Sequence, residues 1–306
     1  LAEFLLERGQ EVFGLDNFST GKVKNIERLK TRFKRQFFFT RGDILSLETL
    51  TEVSKGVDCI VHLAAQVSVA RSIKFPNETN EINVSGFLNA IQAAAVLKVD
   101  SFIYASSCAV YGDNSDFPLK ETHDLSPMSP YAASKIANEN YASCFKFIAP
   151  ELKITGLRFF NIFGPWQDYD GGYAAVIPKW IKLLINKKKP VMYGDGSTTR
   201  DFCYVENVCD AIYKTSLINK NQSGKVFNIC SGQSIRLDEL YKQLTIALEK
   251  RGFEISSKKP IYMPFRSGEI QHSLGEPKKA KTIIDFDTKI CFSKGLDMLL
   301  QKEYNI

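Results

Sequence analysis

At 306 residues with a formal net charge of +6, the chain can bury a full core as one large domain or two. Its basic residues fall in short clusters such as Lys187-Lys188-Lys189, with no stripe interleaved with aromatics, which argues against nucleic acid. Such mild basicity fits an anionic small substrate or a solvated lysine-rich surface. Seven scattered cysteines without a C-x-x-C pair and three distant histidines exclude a disulfide framework and a metal site, and suit a reducing cytoplasm. No apolar run approaches the ~20 residues of a membrane span, and the opening residues do not read as a signal peptide.

Residues 1–8 read as an amphipathic helix closed by Gly9, and 11–16 as a strand ending in the acid Asp16. Residues 36–40 form the next strand. A third, 59–65, is apolar and ends in Ala64-Ala65, small enough to let a ligand approach the backbone. His62 within it reads as a core histidine. Residues 77–97 form a long helix, 101–107 an apolar strand, and a helix begins at Pro130, which suits a first helical turn. Gly164-Pro165 marks a crossing into a smaller lobe. There, 173–180 opens a helix, 193–196 is a turn and 199–205 a strand. A helix at 205–217 and a strand at 226–230 return to the first half; 236–251 and two short tail helices belong to the small lobe. The alternation specifies an α/β fold with a doubly wound parallel sheet, its lobes interleaved as 1–165 plus 205–235 and 166–204 plus 236–306.

The chemistry concentrates in Ser129-Pro130-Tyr131-Ala132-Ala133-Ser134-Lys135, together with Ser107 at the end of the 101–107 strand. Tyr131 and Lys135 are four apart and share a helix face. An ammonium beside a phenol favours the phenolate, lowering a pKa that is ordinarily about 10. Ser107 can donate to the same substrate oxygen. With 12 tyrosines, about one Tyr-x-x-x-Lys pair is expected by chance, so the weight lies in its context. Ser107 ends a strand of an alternating α/β chain, which is where ligands bind.

On these residues, and over nearly its whole length, the chain resembles the extended short-chain dehydrogenase/reductase family. Within it the chain is similar to the NAD-dependent epimerase/dehydratases, in particular the bacterial UDP-N-acetylglucosamine 4-epimerases of polysaccharide synthesis. The resemblance implies a Rossmann-type fold with a smaller α/β substrate lobe, bound NAD, and Ser107, Tyr131 and Lys135 as the catalytic set. In such a fold the glycine-rich loop lies about twenty residues before the acid at Asp16. The chain therefore reads as N-terminally incomplete, lacking its first strand and phosphate loop.

The same resemblance implies a cofactor site. Asp16 bonds the adenosine ribose, unless it is a simple turn residue. Asn17, Ser19, Thr20 and Gly21 form the adenosine-side loop, and Asp43 and Ile44 contact adenine. Leu63, Ala64, Ala65, Asn83 and Phe159 line the remainder with Tyr131 and Lys135, Phe159 standing where relatives usually carry Tyr near the nicotinamide. For the substrate, Ser68 and Ser107 touch sugar, with Val67 where many relatives have Gly, and Asn161 bonds diphosphate or sugar. Ala175, Val176 and Lys179 hold the uracil, with Tyr193 nearby. Arg200 and Arg266 clamp the diphosphate, although singly each reads as a surface arginine. Glu269 bonds the uridine ribose, and Ser273 bounds the hexose pocket. Helices 77–97 and 130–149 resemble a homodimer interface; a plain core-facing helix gives the same pattern.

The expected reaction is reversible inversion at C4 of a UDP-hexose through a 4-keto intermediate. A small residue at 273 favours UDP-GlcNAc/UDP-GalNAc or the matching uronic acids, with UDP-glucose 4-epimerase as the alternative. Dehydratases and decarboxylases of the family carry an acid just after the serine, whereas Cys108 and Ala109 are neutral. An inactive truncated fragment is the remaining reading.

Overall fold

The computed structural model describes residues 1–167, 175–218, 224–255, 259–265 and 270–304. Its strands are β1 (Val12–Asp16), β2 (Phe37–Arg41), β3 (Cys59–His62), β4 (Ser101–Ser107), β5 (Lys153–Phe159), β6 (Asn161–Phe163), β7 (Val191–Tyr193), β8 (Thr199–Tyr204), β9 (Lys225–Ile229), β10 (Ser234–Arg236) and β11 (Ile261–Met263). The helices in the first half are α1 (Ala2–Leu6), α2 (Val23–Arg32), α3 (Leu47–Val53), α4 (Val69–Lys74), α5 (Pro76–Asn80), α6 (Gly86–Val96) and α7 (Pro130–Ile148). The second half adds α8 (Val176–Ile185), α9 (Val205–Ser216), α10 (Leu237–Glu249), α11 (Lys278–Ile284) and α12 (Phe292–Tyr304).

Strands β3-β4-β5-β9 form a four-stranded parallel sheet, and β1 pairs in parallel with β2. This is the expected Rossmann-type α/β architecture. β4 is apolar and buried along almost its whole length because helices cover both faces of the sheet. Phe102 and Tyr104 pack with Phe87, Ala90, Ile91 and Ala94 of α6. Ile103 and Leu157 pack on the other side with Val208, Ala211 and Ile212 of α9. The long helix expected over 77–97 is α5 and α6 joined through a π-helical turn, Glu81–Ser85.

The smaller lobe has its own core, in which Trp180, Ile181 and Leu184 of α8 meet Leu240, Leu244 and Leu248 of α10 and Leu299 and Leu300 of α12. It carries the three-stranded sheet β10-β8-β6 and the pair β11-β7. One helix sorts differently from the sequence reading. Ala280 and Ile284 of α11 pack with Phe227 and Ile229 of β9, on the parallel-sheet side. Among the described residues no helix is long and apolar enough to cross a membrane.

Gly156 on β5 is the register partner of Tyr104 on β4. A Cβ there would stand 2.6 Å from the buried Tyr104 ring, which fills the space a side chain would take. Gly156→Ala is expected to cost about 1–3 kcal/mol of stability by overpacking, read as a lower denaturant midpoint.

Candidate active site

The helix that carries the candidate catalytic pair, α7, is started by its own sequence. Ser129 Oγ accepts from the Ala132 N–H at 3.2 Å, and Pro130 occupies the first turn, where no N–H is needed. Tyr131 and Lys135 then project together beneath the C-terminal end of β4. Lys135 is 3% exposed; its Nζ donates to Ala105 O at 2.8 Å and lies 5.8 Å from the Tyr131 ring centroid. Burial lowers the ammonium to about 8. Burial likewise pushes the Tyr131 phenol up to about 12, opposed by a hydrogen bond with Ser107, while Cys108 adds an upward push. The spacing had suggested that Lys135 lowers the tyrosine. The group drawing the phenol down is Ser107, while the ammonium donates to the Ala105 carbonyl.

Ser107 closes β4 opposite Phe159 of β5 and opens a 3-10 turn, Cys108–Tyr111, accepting from Ala109 N at 3.2 Å. His62 is held down to about 3, chiefly by burial and then by Lys135. It packs against Phe87 and Phe102 as a neutral core residue.

Residues expected on the substrate side come from β8 and the segment around Ser273. Burial raises the Cys108 thiol to about 12, the Arg200 guanidinium and a contact with Ser273 pulling against it and Asp201 with it. Cys108 and Ser273 therefore lie in contact next to Ser107, with the Arg200 charge near enough to act on the thiol. Ser273 is buried, and its Oγ finds no partner at ordinary hydrogen-bond geometry among the described residues, the thiol being a weak one. Arg200 Nη1 donates to Thr199 O (2.9 Å) and Gln271 O (3.0 Å), tying β8 to the segment that carries Ser273. The neighbouring buried Asp201 accepts from Ser231 N and Oγ (2.7 and 2.6 Å), Gly232 N (3.1 Å) and Gly275 N (3.2 Å), and the Asn161 amide donates to Asp201 O at 3.2 Å. Ala175 and Val176 are half-buried at the start of α8, Lys179 is exposed one turn on, and Tyr193 is half-buried at the end of β7. Arg266 and Glu269 lie outside the described residues.

The cofactor-side residues gather at the C-terminal ends of the parallel strands. Asp16 is exposed at the tip of β1, and its Oδ1 accepts from Phe18 N at 2.7 Å. A Cβ on Gly21 would stand 2.8 Å from that oxygen, so glycine is what lets the loop holding Asn17, Ser19 and Thr20 close on the carboxylate. Asn17 Nδ2 donates to Asp43 Oδ2 at 2.8 Å, joining this loop to the one containing Ile44. Leu63 and Ala64 are exposed beyond β3, and Ala65 is half-buried.

Two residues do more internal work than the sequence suggested. Asn83 sits in the π-helical turn, accepts from Gln66 N (2.7 Å) and donates to Gln66 O and Ser134 Oγ (both 3.0 Å). It clamps the loop after β3 to the catalytic helix. The Ser68 hydroxyl caps α4 by accepting from Arg71 N at 3.0 Å. Sequence reasoning missed Gln66, Glu139, Arg158 and Asp201 altogether. Of these, Glu139 had a signal, since it continues the Tyr131–Lys135 helix stripe.

Residues 1–230 match the NAD dependent epimerase/dehydratase family. The chain belongs to this family. Among solved structures it is similar to a UDP-N-acetylglucosamine 4-epimerase from Methanobrevibacter ruminantium in complex with UDP-N-acetylmuramic acid (33% identity, TM-score 0.85, covering 94% of this chain and 88% of that one). It is also similar to a UDP-glucose 4-epimerase with UDP-glucose from Thermotoga maritima (30% identity, TM-score 0.89, 98% and 94% covered). A curated relative, a putative UDP-glucose 4-epimerase of Methanocaldococcus jannaschii, is 30% identical over 285 residues, covering 92% of this chain and 87% of the relative.

The cofactor of this epimerase/dehydratase family member is NAD. Its residues fit that group: an exposed carboxylate at a strand tip suits ribose hydroxyls, and Gly21 gives the loop its close approach. Lys135 supplies a pH test. The unfolded chain binds its proton up to the ordinary 10.5, the folded one only to about 8, so folding is increasingly favoured as pH rises through that window. The stability of the protein minus that of Lys135→Met should be flat below pH 8. It should then climb by at most about 1.4 kcal/mol per pH unit, in denaturant titrations at pH 7–10. A difference that stays flat throughout would mean the ammonium is not desolvated.

Proposed function

We propose that the protein inverts C4 of a UDP-hexose, with UDP-GlcNAc and UDP-GalNAc, or their uronic acids, as its substrate pair. The observation that carries this reading is the meeting of Ser107, Tyr131 and Lys135 at one strand end, beside a wall built from Cys108 and Ser273. Ser107 donates to the 4-oxygen and Tyr131 takes the hydroxyl proton, returning it after inversion. Lys135 places a buried positive charge next to the phenol. Asp16 and the loop through Gly21 hold the adenosine end of NAD, which when bound supplies the hydride acceptor and donor. Arg200 holds the diphosphate, with Arg266 as its expected partner, while the sugar turns.

The small, buried Ser273 side chain supports this reading, leaving both room and a polar hydroxyl for an N-acetyl group. Neutral Cys108 and Ala109 offer no acid for elimination or decarboxylation. UDP-glucose is the second reading, since a roomier pocket also admits the smaller hexose.

The test mixes UDP-GlcNAc and UDP-glucose with the NAD-loaded enzyme and follows both 4-epimers by proton NMR. UDP-GalNAc should form faster. Ser273→Tyr should reverse the preference, and Tyr131→Phe should lower turnover of either sugar by about 10²–10⁴. UDP-galactose alone would keep the chemistry and remove the pocket assignment; neither epimer would remove both.

We also propose a homodimer through α6 and α7, where Tyr141, Phe147, Ile148 and Val96 expose apolar surface, Phe147 at 86%. The double change Phe147→Asp with Ile148→Asp should shift the protein to a monomer by light scattering.

A further inference from the structure

Beneath the candidate catalytic set lies a buried ion pair that the chemistry does not use. Arg158 of β5 grips Glu139 of α7 with a two-pronged contact, Nε to Oε1 at 2.9 Å and Nη2 to Oε2 at 2.7 Å. The two side chains are 5% and 8% exposed. A pair this deep is costly to desolvate and is a poor source of net stability unless its remaining valences are satisfied. Here several are. Ser106 Oγ donates to Glu139 Oε1 at 2.5 Å. Arg158 Nη1 donates to the Tyr111 hydroxyl at 2.9 Å, which in turn donates to Asn228 Oδ1 at 2.6 Å. Asn228 then reaches back to Leu119 O at 2.9 Å.

The placement of these bonds is more telling than their number. Ser106 immediately precedes Ser107, and Tyr111 ends the 3-10 turn that Ser107 begins. Glu139 stands one helical turn beyond Lys135 and two beyond Tyr131. The residues on either side of Ser107 are thus fastened to the pair, and one end of the pair belongs to the helix that carries the tyrosine. We propose that Glu139 and Arg158 are positioning residues that set the separation between the Ser107 hydroxyl and the Tyr131 phenol. The inference rests on Ser107, Tyr131 and Lys135 being the catalytic set. Neither charged side chain need touch substrate. Their effect passes through Ser106 and Tyr111 to the strand end, and through the helix to the phenol.

A purely structural pair would lower stability and leave turnover of the folded fraction unchanged. A positioning pair would lower kcat while leaving KM nearly alone, because the diphosphate contacts lie in the other lobe. The test compares Glu139→Gln, Arg158→Lys and Ser106→Ala in the NAD-loaded enzyme with Tyr131→Phe and with Leu248→Ala, a core change in the smaller lobe. Glu139→Gln should lose about 10–100-fold in kcat, the scale of a small misplacement, with KM within about twofold. Arg158→Lys keeps the charge but not the planar fork and should fall between it and the parent. Ser106→Ala removes a single hydroxyl, so it reports even if the charged variants fold poorly. It should cost several-fold in kcat.

Leu248→Ala should lower the melting temperature at unchanged kcat. The positioning role is overturned if Glu139→Gln, Arg158→Lys and Ser106→Ala all keep kcat within twofold, or if Leu248→Ala loses as much kcat at an equal melting temperature. Full turnover by Tyr131→Phe would instead remove the catalytic assignment, and this inference with it.

Discussion

The site is organised around a lysine ammonium held inside the protein. Lys135 is almost wholly buried, and the carbonyl of Ala105 accepts from it. Ala105 lies one residue beyond the β3 pairing, which ends at His62 opposite Tyr104, while β4 stays paired with β5. Burial weakens the ammonium and raises the phenol together, so the site rests with both protons in place at neutral pH. Charge brought by a bound cofactor would act on a pair with little water to screen it.

Holding that charge requires α7 to stay where it is relative to β4 and β5. Apolar packing contributes through Ala142 and Phe145 against the core shared with α6. Directional bonds contribute through Asn83 to Ser134 and through the Glu139–Arg158 pair. Apolar contacts resist separation of two elements but tolerate sliding, whereas a planar fork on a carboxylate resists both. A helix whose second residue carries the phenol benefits from the second kind of restraint.

The substrate side depends on a different buried carboxylate. Asp201 gathers backbone N–H groups from Ser231, Gly232 and Gly275. Burial raises its carboxyl, and these donors oppose the rise. It draws the turn after β9 and the segment around Ser273 onto β8, next to Arg200. Cys108, at the end of the parallel sheet, thereby comes into contact with Ser273 and feels the charge of Arg200.

Much of this was legible along the chain. Alternating apolar runs specified the parallel sheet, and Ser129-Pro130 specified where α7 begins. The i,i+4 spacing put Tyr131 and Lys135 on one face. The acid at the tip of β1 and the small residues beyond β3 were legible as the expected cofactor side. These features are local, resting on strand period, helix period and cap chemistry, which neighbouring residues decide between themselves. What the tertiary structure alone decided is long-range. Glu139 continues a helix stripe in sequence, but its partner Arg158 is known only when β5 is laid beside α7, and the role of Asp201 only when the segments at Ser231-Gly232 and Gly275 close over it. The partner of Lys135 and the direction of the Tyr131 shift also belong to this class. A pKa is set by desolvation and by the few groups within hydrogen-bond reach, and those come from β4 and the turn after it, not from the tyrosine's own helix.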